Sequence, residues 1–136
     1  MNSSLPVPVS NADSAPYWEG AKNGRLLVRH CKACDTFHFM PRHLCPNCWS
    51  DSLDWTESTG LGTVYSYTVI RRAPLAVFAP LVPYVVALIE LEEGVRMMAN
   101  IMGEHALSVQ IGDKVKVMFE KRGEDAVVPQ FELLAR

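Results

Sequence analysis

Four cysteines and three of the four histidines fall between residues 30 and 48. The cysteines are spaced as Cys31-x-x-Cys34 and Cys45-x-x-Cys48, with ten residues between the pairs. Each pair can sit on a tight turn that aims two sulfurs at one point, and two such turns face to face make a tetrahedral four-sulfur site. Soft thiolates select zinc or iron over magnesium or calcium. The paired spacing reads first as a structural zinc site at Cys31, Cys34, Cys45 and Cys48, with a single iron as the alternative. Spacing this regular argues against four unrelated buried thiols. Four thiolates around one Zn²⁺ leave the site at −2, so nearby donors matter, and Arg29, Lys32, Arg42 and backbone amides are the candidate stabilisers. His30, His38 and His43 read as surface residues or as supports of the thiolates; ligation by one of them is the alternative.

This knot also limits catalysis. With every cysteine on a metal, none is left as a nucleophile, and a closed four-sulfur site has no open position for a water. The sequence holds no Gly-x-Ser-x-Gly elbow, phosphate-cradling glycine loop or His-Glu-x-x-His helix. Glu90, Glu92 and Glu93 fall at a predicted hairpin and read as a solvated turn rather than an acid–base pair.

The elements that must position the cysteines follow from texture. The chain has 136 residues, 49% hydrophobic and 21% charged, which suits a globular protein. Thirteen basic against 15 acidic residues give a net charge of −2, which disfavours a basic nucleic-acid coat. The longest charge-free stretch, Ala73 to Ile89, is short for a membrane span and is broken by Pro74, Pro80 and Pro83. The N-terminus lacks the basic patch and apolar run of a signal peptide. The expectation is a cytoplasmic protein in a reducing compartment, where cysteines bind metal or stay as thiols.

Residues 1–13 read as a flexible tail. Asp13 or Ser14 can cap a short helix that starts with Pro16, ends at Asn23-Gly24 and presents Tyr17, Trp18 and Ala21 on one face. Gly20 weakens that helix by about 1 kcal/mol relative to alanine. Leu26-Leu27-Val28 is a short strand leading into the cysteines. Helix and ribbon together span 14–56. From 57 to 136 the pattern is strands between turn signals: Thr63–Ile70, Tyr84–Leu91, Val95–Met102, Val115–Phe119 and Val127–Leu134. Glu104–Gln110 is one helical turn or a loop, and Pro129 marks an edge position or a bulge. The fold class is mainly β: a short helix and ribbon, then a five-stranded Greek-key barrel of the OB type, with a five-stranded sandwich fitting the same pattern.

These residues, in order, resemble a known family. A Tyr-Trp-Glu-Gly helix precedes Cys-x-x-Cys, Met40-Pro41-Arg42 and Cys-Pro-x-Cys. Then come Leu53-x-Trp55, Gly60-x-Gly62-x-Val64-Tyr65-Ser66-Tyr67-Thr68, Pro83-Tyr84-x-x-Ala87-Leu88, Glu90-Leu91-x-x-Gly94-Val95-Arg96 and Ile111-Gly112-Asp113-Lys114-Val115. Over about residues 15–135 the chain is similar to the acyl-CoA-associated zinc-ribbon/OB-fold proteins, whose N-terminal region is rubredoxin-like. The resemblance implies a non-catalytic subunit beside a thiolase-like enzyme, or beside a hydratase or aldolase acting on CoA thioesters. The partner would carry the chemistry, and this chain would help shape the acyl-CoA channel. Two positions depart from the pattern. Many members have glycine after each cysteine pair, where this chain has Asp35 and Trp49, so the knuckle turns are expected to be slightly altered. Aspartate tolerates turns well; Trp49 is the less comfortable of the two and is expected to pack against the ribbon or a partner. Two other classes stay open: a nucleic-acid-binding ribbon/OB module, and an iron electron carrier of the rubredoxin kind, whose second knuckle Cys45-Pro46-Asn47-Cys48 resembles.

The segment after the first barrel strand is a candidate contact surface. Arg71-Arg72 is followed by the apolar run Ala73 to Pro83, where a solvated loop would be polar. It is either a docking surface or pantetheine-channel wall, or a loop folded back over its own barrel. CoA phosphates call for arginine forks. Arg42, Arg71, Arg72, Phe78 and Tyr84 are therefore the candidate CoA or partner contacts. Tyr65, Tyr67 and Phe119, at strand spacing, read as core or cross-strand packing rather than as a stacking platform.

Overall fold

A computed structural model describes residues 5–134; the first four residues of the expected tail lie outside them. The N-terminal half comprises α1 (Ala15–Lys22), β1 (Leu27–Cys31), β2 (Phe37–His38) and β3 (Leu53–Glu57). Its strands form an antiparallel sheet in the order β2-β1-β3. The second half comprises β4 (Leu61–Ile70), β5 (Tyr84–Leu91), β6 (Arg96–Met102), β7 (Lys114–Arg122) and β8 (Ala126–Leu133). These five close into a barrel in the order β4-β5-β6-β8-β7. Closure rules out the sandwich. It is made by β4 against β7, with Gly62 opposite Val115, and by a short parallel pairing of β6 with β8 at Ile101 and Phe131. The apolar segment 76–81 and residues 106–108 form 3₁₀ turns. No helix among the described residues is long and apolar enough to cross a membrane.

Helix α1 starts without the expected hydroxyl cap. Ser14 sits at the N-cap, but its Oγ accepts from the Asn11 amide at 3.1 Å, while Asn11 Oδ1 accepts from the Ser14 amide at 2.9 Å. Gly20, poor for a helix, is explained by packing. A Cβ there would lie 2.8 Å from Leu27 Cδ1, so glycine lets α1 close down on β1. Ahead of the helix, Leu5 is buried and the Pro6 carbonyl accepts from Arg122 Nη1 at 3.2 Å.

The two halves share one core. Tyr17, Leu26 and Val28 join Val64, Val85, Ile89, Val115 and Phe131 in a single buried cluster. Each such side chain contributes about 1.5–3 kcal/mol by leaving water. The joint between the halves is polar and specific. Buried Ser58 donates from Oγ to Glu93 Oε1 at 2.6 Å, the Thr59 amide donates to Glu93 Oε2 at 3.1 Å, and Thr59 Oγ1 donates to Glu92 Oε1 at 2.8 Å. Glu92 and Glu93 do sit in the expected turn, with Glu92 exposed, and from it they also clamp the linker. Gly60 follows at φ +79, and a Cβ there would run into Val117 Cγ1.

Pro129 sits opposite Phe119 of β7, two residues before β6 begins to pair with β8. It therefore occupies a local edge, as a missing N–H requires. The side chain of Gln130, 3% exposed, takes over the seam: its Oε1 accepts from the Asn100 amide at 2.7 Å.

Gly60→Ala is expected to cost at least about 2 kcal/mol, from left-handed strain and overpacking together. Urea unfolding measures it, and a cost under about 0.5 kcal/mol would show the joint to be loose.

Candidate functional site

Strand β1 delivers Cys31 to the knot, and the two knuckles repeat one backbone pattern. The Asp35 amide donates to the Cys31 carbonyl at 2.8 Å, and the Trp49 amide donates to the Cys45 carbonyl at 2.9 Å. Cys31 and Cys45 in turn donate to the carbonyls of Thr36 and Ser50 at 2.8 Å each. Asp35 and Trp49 carry φ of +59 and +66, so the two positions without glycine keep the left-handed turn and are not rebuilt. The four Sγ atoms lie within 4.8 Å of one another. Cys31 and Cys48 approach to 3.6 Å, Cys34 and Cys45 to 3.7 Å.

The supports of these sulfurs are Thr36 and Asn47, which the sequence reading missed. Thr36 Oγ1 is 3.1 Å from Cys34 Sγ, Asn47 Nδ2 donates to Cys34 at 3.5 Å, and the Asn47 amide donates to Cys45 at 3.4 Å. The available signal was adjacency: Asn47 lies inside the second pair and Thr36 two residues beyond the first. Hydrogen bonds from Thr36 and then Asn47 hold the Cys34 thiol down at about 6. At Cys48 a backbone hydrogen bond at Ser50 pulls downward, but burial and the neighbouring sulfurs outweigh it and push the thiol up to about 12. Sulfurs this close repel one another as thiolates, so the cluster can hold several negative charges only around a cation. The donor set and its convergence fit a structural metal.

Arg29, read as a stabiliser, instead lays its guanidinium over the Trp55 ring at 4.5 Å. No histidine joins the sulfurs. His30 bridges two carboxylates, with Nε2 2.6 Å from Asp35 and Nδ1 3.3 Å from Asp54, and the Asp35 bond leads in raising its pKa. Burial, with Arg29 and Arg42 nearby, lowers the pKa of His38. His43 is exposed.

A groove of about 670 Å³ runs between α1, the end of β2, the 3₁₀ segment and the outer face of the barrel. Tyr17, Phe39, Met40, Phe78, Tyr84 and Met98 supply its apolar walls, and Asn100 and Gln130 give it a polar patch. Of the candidate contacts, Phe78 and Tyr84 meet here, their ring centroids 6.0 Å apart. Arg42 lies elsewhere, in a cleft of about 370 Å³ with His43 and Trp49 beside the second knuckle. Arg71 and Arg72 are exposed and line neither cavity. The apolar segment does both things its composition allows: Phe78 turns in toward Tyr84, while Leu75 and Leu81 stay 54% and 48% exposed. Phe119 packs against the core, but Tyr65 and Tyr67 face outward, and Arg96 caps the Tyr65 ring at 3.8 Å.

Comparison with known proteins matches residues 18–54 to the ChsH2 rubredoxin-like zinc ribbon domain and residues 55–120 to the ChsH2 C-terminal OB-fold domain. A probable enoyl-CoA hydratase alpha subunit of Thermomonospora curvata is 38% identical over 126 residues; the match takes in 93% of this chain and only 39% of that protein's length. A DUF35 domain-containing scaffold protein of Methanothermobacter thermautotrophicus is 38% identical over 107 residues, 76% of this chain and 80% of the relative. Among solved structures, a chain of the Ltp2-ChsH2(DUF35) aldolase superposes with a TM-score of 0.82 at 37% identity, covering 93% of this chain and 98% of that one. The chain belongs to the DUF35 family, with the ribbon and OB-fold pair of the ChsH2 type.

Proposed function

We propose that this chain is a non-catalytic accessory subunit of an acyl-CoA-processing enzyme complex, docked on a thiolase-like, aldolase-like or hydratase-like catalytic partner. The observation that carries the reading is the superposition along nearly the whole chain on a protein solved as part of an aldolase. The site geometry agrees with it. All four cysteines converge on one point, so the thiols serve a closed structural site. The groove offers apolar surface with a polar patch, which suits a ligand tail or a partner element better than bond-making chemistry.

In this reading Cys31, Cys34, Cys45 and Cys48 hold one zinc, with Thr36 and Asn47 donating to the sulfurs. The metal supplies fold, tying β1 to the second knuckle. Phe78 and Tyr84 form one wall of the acyl-CoA channel or the docking face. Arg71 and Arg72, both exposed, meet CoA phosphates or partner carboxylates.

Elemental analysis of the purified chain should return one zinc per chain. Cys31→Ala or Cys48→Ala should lose the metal and most of the soluble yield. A folded, metal-free variant would sink the structural-site reading, and a red protein with visible absorbance would replace zinc by iron.

Affinity purification of the tagged chain from its host should bring down a CoA-thioester enzyme. Phe78→Ala and Arg72→Ala should each weaken that association about five-fold or more with the thermal midpoint unchanged, as expected of contacts worth about 1 kcal/mol. Recovery of nucleic acid in place of such an enzyme would favour the binding-module reading.

A further inference from the structure

The second knuckle breaks a local rule without any evident return inside the chain. Trp49 sits at φ +66, a region that a bulky residue with a Cβ rarely enters. The position asks for glycine: its amide must reach the Cys45 carbonyl to close the turn. The first knuckle meets the same demand with Asp35, a residue that tolerates this backbone and pairs with His30 at 2.6 Å. Trp49 has no comparable compensation. Its side chain is 77% exposed, and among the described residues the indole makes no ring, cation–π or hydrogen-bond contact. Strain held at an exposed position is a pointer to function rather than to folding.

The surroundings say what kind of function. Trp49 shares a cleft with Arg42, His43, Leu44 and Pro46, and Asp13 closes one side. Arg42 and His43 are exposed and have no ion-pair partner among the described residues. An exposed indole beside an uncommitted arginine is the composition of a protein–protein anchor. The nucleotide end of CoA is a poorer match. It carries several phosphate charges, and one arginine and one histidine next to Asp13 offer it little.

We propose that Trp49 is the anchor of the second knuckle on the catalytic subunit. It enters an indole-sized apolar pocket of that subunit, whose rim is acidic opposite Arg42. This inference rests on the accessory-subunit reading and names a face distinct from the Phe78–Tyr84 groove.

The test uses opposite signs. In the full, metal-loaded chain, Trp49→Gly relieves the left-handed strain, so the thermal midpoint should rise by about 3 °C. The same variant should bind the co-purified catalytic subunit at least about 30-fold more weakly by biolayer interferometry. Trp49→Phe, which keeps an aromatic anchor, should recover most of that loss. Arg42→Ala should weaken binding and flatten its salt dependence. A Trp49→Gly chain that is more stable and binds within about two-fold of the wild type overturns the inference and leaves the accessory reading intact. A less stable Trp49→Gly chain overturns it too, because the indole would then be a packing residue. A loss of affinity seen only with CoA present would assign the indole to the nucleotide and overturn the docking reading. A wild-type chain that captures no acyl-CoA enzyme overturns both readings together.

Discussion

Four sulfurs held within 4.8 Å of one another cannot all carry charge unless a cation sits among them. That constraint organises the N-terminal half. It fixes the end of β1 through Cys31, folds the 37–44 stretch back toward the barrel, and brings the second knuckle under the first. The polar donors that face the sulfurs, Thr36 and Asn47, share the charge but do not cancel it. The ribbon is then tied to the barrel in two places. Tyr17, Leu26 and Val28 enter the common core, and the Glu92–Glu93 carboxylates grip Ser58 and Thr59. With these two attachments, the ribbon holds Phe39 and Met40 against the barrel face that carries Tyr84 and Met98, and the groove is the space left between them.

The groove is shaped by polar satisfaction as well as by apolar area. Pro129 cannot donate to the sheet, and the Gln130 amide side chain fills the gap at the seam. Gln130 Nε2 also donates to Asn100 Oδ1 and to Glu120 Oε1, each at 3.1 Å, and Asn100 Nδ2 donates to the Val85 carbonyl at 2.9 Å. Glu120 in turn lies 3.3 Å from Arg122, which reaches the Pro6 carbonyl. A chain of linked polar groups at a buried seam specifies one register, because slipping β8 by one residue would strand several donors at once. That register places Asn100 and Gln130 in the groove wall.

Much of this architecture was legible beforehand because its signals are local. Paired cysteine spacing announced the knot, and alternation with turn residues announced five strands; β5 spans the very residues its pattern marked, Tyr84–Leu91. What was not legible depends on partners far away in the chain. Leu53-Asp54-Trp55-Thr56-Glu57 has too many polar residues to read as a strand, yet it pairs with β1 along its whole length. Glu93 is a turn residue as expected, but nothing local shows that it accepts from Ser58, 35 positions earlier. Tyr65 has the composition of a core residue, but the register shift between Val64 and Ser66 leaves it outside, under Arg96. The groove was invisible for the same reason: its walls come from five separate stretches of sequence.

Two residues break local propensity, and they differ in where the compensation lies. Gly20 weakens α1, and the return is inside the chain: no larger residue would let the helix lie on Leu27. Trp49 strains the second knuckle, and among the described residues the chain offers its indole no contact in exchange. A closed four-sulfur site contributes shape and stability, not an open coordination position. Under the accessory-subunit proposal, a stability cost carried at the surface is balanced outside the chain. This is the physical sense in which an accessory subunit is incomplete alone: part of what justifies its sequence lies on the protein it meets.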